Sequence, residues 1–230
     1  MLEVENLFVS YGPTEAVRGV SLTVPSRGVV ALLGANGAGK SSVLKAISRL
    51  VSYRGTVRFD GVELQGRDPA KIASLGLIHV PEGRRIFATL TVEENLRMGE
   101  CARGGRPSRF SLADVYDLFP ALARLRHRGG WSLSGGEQQM LAIGRGLLAA
   151  PRLLLLDEPS LGLSPAIIKS VYGVLRDISA TVPMLLVEQS TTDALTMANH
   201  AYVLANGVVV IDAPTTELRD KSVLLDSYLR

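Results

Sequence analysis

The chain is most tightly constrained between residues 29 and 50. Val29-Val30-Ala31-Leu32-Leu33 is a continuous apolar run, as expected of a strand buried on both faces. Gly34-Ala35-Asn36-Gly37-Ala38-Gly39-Lys40-Ser41 follows at once, and Ser42–Leu50 suits a helix. The glycines let a turn direct its N–H groups inward, and the following helix presents its positive end to the same point. That spacing, G-x-x-x-x-G-K-S, is a phosphate cradle: Lys40 supplies a point charge for β- and γ-phosphates, and the Ser41 hydroxyl is a ligand for Mg²⁺.

The rest of the chain supports a fold built around that unit. Val4–Val9, Val20–Val24 and Thr56–Phe59 read as short strands divided by turns, which predicts an N-terminal antiparallel β region. Leu77–Val80, Leu153–Leu156 and Met184–Val187 are further short apolar runs, each followed by polar or helical sequence. Such alternation predicts a mainly parallel sheet covered on both sides. Between these strands the sequence changes character. Thr91-Val92-Glu93-Glu94 is a capping box opening a helix towards Gly99, and Leu112–Phe119 and Gly135–Ala149 are also helical. Cys101–Arg109 reads as a solvated loop. An all-helical subdomain inserted into an α/β core is therefore expected.

Two more segments carry chemistry. Leu153–Leu156 delivers Asp157 and Glu158 to the C-terminal end of a buried strand, where ligands sit in open α/β sheets. Asp157 is placed to hold Mg²⁺ through its water shell, and Glu158 to orient or deprotonate an attacking water. Leu133-Ser134-Gly135-Gly136-Glu137-Gln138-Gln139 opens the long central helix. Ser134 and Glu137 form a capping box, yet Gly135 and Gly136 each weaken a first helical turn by roughly 1 kcal/mol. Bare backbone at a helix N-terminus suits an approaching anion. Because the chain already has one phosphate loop, this second surface is expected to complete a site on another chain.

The three motifs in this order resemble the ATP-binding subunit of ABC transporters over essentially the whole chain. The resemblance implies a P-loop NTPase (RecA-like) α/β fold. Residues 1–84 and 151–230 would form the nucleotide-binding core with its antiparallel β region, and 85–150 the helical subdomain carrying the signature motif. It further implies ATP and Mg²⁺ as ligands, bound by Gly34, Ala35, Asn36, Gly37, Ala38, Gly39, Lys40, Ser41 and Ser42. Two ATP molecules would be sandwiched in a head-to-tail dimer, with Ser134, Gly135, Gly136 and Glu137 meeting the partner's nucleotide. Tyr11 falls where the family stacks an aromatic on adenine, and Ser160–Ser164 at the loop that touches the opposite subunit. Two positions depart from the pattern. Glu82 stands where the family carries Gln, bringing negative charge towards metal and phosphate that Mg²⁺ or Arg85 would offset. Gln189 replaces a His that contacts the γ-phosphate; it can donate a neutral hydrogen bond but cannot carry an imidazolium charge.

Those departures, with Leu90–Leu96, Ser134–Ile143 and Leu154–Gly162, resemble the shorter of the two ATPase subunits of branched-chain amino-acid importers, whose relatives also serve urea and short amides. The partners implied are transmembrane permease subunits, a second ATPase subunit (another copy or a different chain) and, indirectly, a solute-binding protein. The resemblance implies a motor at the cytoplasmic face of the inner membrane, and the composition by itself points to a soluble chain of a reducing compartment. The 230 residues carry one cysteine, Cys101, and 25 basic against 22 acidic groups, too small an excess for a dedicated nucleic-acid binder. The N-terminus lacks the regions of a signal peptide, and no uncharged apolar run approaches the roughly 18 residues of a membrane span. A non-transport ABC ATPase would usually carry coiled-coil insertions or two nucleotide domains, and a P-loop GTPase or kinase leaves Ser134–Gln139 unexplained. His79, His127 and His200 do not cluster; His79 reads as a satisfied core residue, and Arg124–Arg128 as a solvated helix end. Met140, Ile143, Leu147 and Leu148 recur at helical spacing as core contacts.

Overall fold

The computed structural model describes residues 1–218. Leu2–Tyr11 (β1) and Thr14–Val24 (β2) form an antiparallel hairpin that pairs Leu2 with Val24 and Val4 with Leu22. Val29–Leu33 (β3) then enters a different sheet, and Lys40–Ile47 (α1) follows the glycine-rich turn. Arg54–Phe59 (β4) returns to pair with β1, and Val62–Glu63 (β5) completes a sheet of order β2-β1-β4-β5. The antiparallel region expected from the sequence is this sheet; its strands run beyond 4–9, 20–24 and 56–59.

Pro69–Leu75 (α2) leads into Leu77–Val80 (β6). The chain is then helical through Val92–Met98 (α3), Leu112–Leu118 (α4), Pro120–Arg124 (α5) and Gly135–Leu148 (α6). Thr91 and Glu94 form the capping box read from the sequence, with both reciprocal hydrogen bonds present. Leu153–Asp157 (β7), Pro165–Ser179 (α7), Met184–Glu188 (β8) and Thr191–Met197 (α8) follow. His200–Ala205 (β9), Val208–Pro214 (β10) and Thr215–Leu218 (α9) close the described chain.

The second sheet has the order β10-β9-β3-β8-β7-β6 and is parallel except for β10. Because side chains alternate along a strand, it feeds two cores. Val30, Leu32, Leu153, Leu155, Leu185 and Val187 pack with α1 and the antiparallel sheet. Val29, Ala31, Leu33, Leu154, Leu156, Met184 and Leu186 pack with α6, α7 and α8. Every residue of β3, β7 and β8 is buried, as the unbroken apolar runs require. A fully buried leucine contributes about 2 kcal/mol, so Leu153–Leu156 hold Asp157 and Glu158 on a stiff support. Met140, Ile143, Leu147 and Leu148 are core residues of α6 as their spacing predicts.

The segment Cys101–Arg109 is exposed or half-buried throughout, as expected of a solvated loop, but two of its arginines are held in place. Gly99–Arg103 is a 3-10 turn, and Arg103 within it and Arg106 beyond it bond main-chain carbonyls. Arg103 Nε donates to Leu148 O at 2.8 Å, and Arg106 Nη2 to Ala149 O at 2.8 Å and Ala150 O at 3.2 Å. Arg106 Nη1 also donates to Ser74 O. The last carbonyls of a helix have no partner within it, and the dipole there favours cations, so these arginines cap the end of α6. Arg106→Ala is expected to cost about 2 kcal/mol, seen as a fall of roughly 4–8 °C in Tm with ATPase activity retained at lower temperature.

Candidate nucleotide site

The phosphate turn lies between β3 and α1. Gly39 precedes the helix with φ of 105°, and a Cβ there would lie 2.4 Å from Ala16 O, so only glycine fits. Lys40, 4% exposed, turns its ammonium back into the turn. Its Nζ donates to Gly34 O at 2.9 Å and Ala35 O at 3.0 Å, and pairs with Glu158 Oε1 at 3.1 Å. Three protons thus meet three acceptors. Ser41 Oγ donates to Asp157 Oδ1 at 3.0 Å. Lys40, Ser41, Ser42, Glu82 and Glu158 line one cavity with Asn36, Gly37, Gly39, Ala16 and Leu161.

Asp157 is 3% exposed and has no ion-pair partner among the described residues. Burial pushes its carboxyl up, the Ser41 hydrogen bond pulls it back, and the charges of Glu158 and Glu82 push it further. A buried carboxylate beside a hydroxyl, with two more carboxylates nearby, is a hard-oxygen set short of positive charge. It fits Mg²⁺, which prefers oxygen ligands. Glu158 has φ of 47°, a left-handed backbone unusual for a residue with a side chain, and strain of this kind clusters at functional sites.

Other expected site residues lie apart from this cavity. Tyr11 is exposed at the tip of the β1–β2 hairpin, while Ala16 on the return strand lines the cavity. Gln189 lines a neighbouring hollow with Glu158, Ser160, Leu161 and Gly162. Arg85, expected as a counter-charge for Glu82, lines a different groove. Ser134, Gly135, Gly136 and Glu137 open α6 with the reciprocal capping box in place. Gly136 has a reason within the chain that the sequence did not reveal, whereas the neighbour of Gly135 is the end of a flexible side chain. A Cβ on Gly136 would lie 2.8 Å from Ile167 Cγ2 of α7, and one on Gly135 would lie 3.1 Å from the Arg84 guanidinium. Close packing therefore accounts for Gly136 without an anion. Among the described residues, the Arg84 guanidinium at the positive end of α6 hydrogen-bonds only Gln138 Oε1, at 3.4 Å.

His79 is half-buried in β6. Its Nδ1 meets Ser48 Oγ at 3.1 Å, but its buried Nε2 has no partner among the described residues, so it is only half satisfied there. Burial lowers its pKa from 6.5 to about 4, aided by the charge of Lys45. The unfolded chain therefore binds a proton between those values that the folded chain refuses, and stability falls as pH drops from 6.5 towards 4. The contribution lost is up to about 3 kcal/mol. Melting curves at pH 7.5 and pH 5 should show a smaller drop for His79→Gln than for the parent.

A phosphate turn after the first strand of the parallel sheet and a carboxylate pair after its neighbour's neighbour define a P-loop NTPase fold. A family model described as ABC transporter matches residues 17–161, more than half of the chain, and the chain belongs to that family. BraG of Pseudomonas aeruginosa, a high-affinity branched-chain amino acid transport ATP-binding protein, is 41% identical and covers 100% of this chain and 99% of its own. LptB of Haemophilus influenzae, a lipopolysaccharide export system ATP-binding protein, is 30% identical over 97% of this chain and 95% of its own. The crystal structure of an ABC-transporter ATP-binding cassette in its ADP conformation matches the fold with a TM-score of 0.82 at 24% identity, covering 99% of this chain and 98% of that one. Among the described residues no helix is long and apolar enough to cross a membrane.

Proposed function

We propose that this chain is the ATP-hydrolysing subunit of an importer for branched-chain amino acids, working with transmembrane permease subunits at the cytoplasmic face of the membrane. The observation that carries the solute class is the likeness to BraG, which spans both chains end to end at 41% identity, against 30% for LptB. The ATPase step rests on the site. Lys40 exchanges Glu158 for phosphate oxygens, and the Glu158 carboxylate, so released, accepts a proton from the attacking water. Ser41 and Asp157 hold Mg²⁺, with Glu82 beside them. When bound, that ion supplies positive charge to phosphate oxygens that become more negative during transfer. Gln189 donates a hydrogen bond to the γ-phosphate from the adjoining hollow, and Ser134–Glu137 meet a nucleotide held by a second ATPase subunit.

A groove lined by Leu50, Ile72, His79, Arg85, Phe87 and Met98, with no carboxylate among its described lining residues, suits an apolar segment of the permease. The test is uptake of labelled leucine, isoleucine and valine into vesicles carrying the permease and this chain, with a solute-binding protein outside. ATP-dependent uptake that vanishes with Lys40→Ala is expected. Uptake of urea or short amides in preference would move the solute to that related class, and ATP-driven movement of lipopolysaccharide would favour the export reading.

A further inference from the structure

Among the described residues three charged side chains are buried: Lys40, Asp157 and Glu188. The first two belong to the phosphate site. Glu188 is 1% exposed, ends β8 next to Gln189, and has no cationic partner among the described residues. Its carboxylate instead accepts three neutral hydrogen bonds. Ser160 N donates to Oε1 at 3.1 Å, Ser160 Oγ to Oε2 at 2.9 Å, and Tyr172 Oη on α7 to Oε1 at 2.7 Å. Ser160 lies two residues beyond Glu158. The intervening backbone is tied to β8 a second time, through Glu158 N and Val187 O at 3.0 Å, and Leu161 N closes the turn onto Glu158 O at 3.1 Å. Glu158, Ser160, Glu188 and Gln189 line one hollow, and Leu161 and Glu158 are shared with the phosphate cavity.

We propose that Glu188 is a positioning residue for hydrolysis: it clamps Ser160 to the end of β8, so that Glu158 keeps its left-handed backbone and stays in fixed relation to Gln189. This rests on the ATPase reading above. Strained backbone persists only where its surroundings over-determine it. Here the tie on the far side of Glu158 is the Glu188 carboxylate. The clamp works through hydrogen-bond geometry and not through charge. A glutamine at 188 can reproduce it: its carbonyl oxygen accepts from Ser160 N and Tyr172, and its amide donates to Ser160 Oγ, which has lone pairs free to accept. An alanine leaves the Ser160 backbone N–H without its acceptor and removes the group that ties the Ser160 hydroxyl to the Tyr172 phenol.

The experiment is steady-state ATP hydrolysis by the full-length chain with Mg²⁺, over a range of ATP concentrations, for the parent, Glu188→Gln, Glu188→Ala and Ser160→Ala. Glu188→Ala should lower kcat by about 100-fold with KM within about threefold, the signature of a misplaced reacting group. Glu188→Gln should stay within about fivefold of the parent. Ser160→Ala, which removes one hydroxyl from a half-buried loop, should lower kcat by about five- to tenfold with KM unchanged. Equal losses in the Gln and Ala variants would assign the effect to charge and overturn the clamp. Parental kcat in Ser160→Ala would overturn it even if Glu188→Ala does not fold. Absence of Lys40-dependent hydrolysis in the parent, both alone and assembled with the permease and a second ATPase subunit, would overturn the ATPase reading and the clamp with it, whereas an active parent with unaffected variants overturns the clamp alone.

Discussion

Lys40→Ala is expected to abolish ATP binding and, with it, hydrolysis. The ammonium is buried and already aimed into the turn by Gly34 O and Ala35 O, so its charge acts where water is scarce. A unit charge about 4 Å from a phosphate oxygen is worth about 4 kcal/mol at an effective dielectric of 20, or roughly a thousandfold in affinity. The substitution also removes the ion pair with Glu158, a carboxylate only 10% exposed. An unpaired, largely enclosed carboxylate adds repulsion against a triphosphate, so both consequences act in the same direction. Titration calorimetry with ATP checks the loss, and a thermal melt without nucleotide separates it from unfolding. Hydrolysis by the variant at the parental rate would remove the phosphate-loop assignment.

Glu158→Gln should give the opposite separation: ATP binds and stays. An amide keeps the shape of the carboxylate and can still accept from Lys40 Nζ, but it cannot take a proton from water. Loss of a positioned base costs about 10²- to 10⁴-fold in rate. Binding should not weaken, because one negative charge leaves a site that also holds Asp157 and Glu82, and Asp157 is relieved of the Glu158 charge that pushes its carboxyl up. Light scattering on the purified variant should read 24.6 kDa without nucleotide or with ADP, and about twice that with ATP. A monomer that nonetheless binds ATP would show that closure needs a different ATPase subunit or the permease. Undiminished turnover would show that Glu158 is not the base.

The parts of the site that could be read in advance are those whose reasons are local. Val29–Leu33, the glycines and Lys40 lie within a dozen residues of one another, and their conformations depend on one turn. The Thr91–Glu94 and Ser134–Glu137 capping boxes are likewise settled within a single helical turn, and both formed as read. Local signals also passed unread. Asn206-Gly207 sits between apolar runs with both residues at positive φ, the turn that makes β9 and β10 a hairpin. Ser164-Pro165 opens α7 with proline in its first turn.

What the sequence by itself determined is the class of this protein: a strand, a phosphate cradle, a carboxylate pair and a glycine-opened helix, each encoded over a few consecutive residues. Tertiary structure decided how those pieces are supported. Arg106 meets carbonyls 43 and 44 residues away, Glu188 meets Ser160 across 28 residues and Tyr172 across 16, and Gly136 is required by Ile167. An arginine in a loop, a glutamate after a strand and a glycine in a helix carry no local mark of such partners. Their roles arise only when strand order brings β8 beside β7 and packs α7 against α6, because a hydrogen bond or a steric limit depends on distances that chain topology sets.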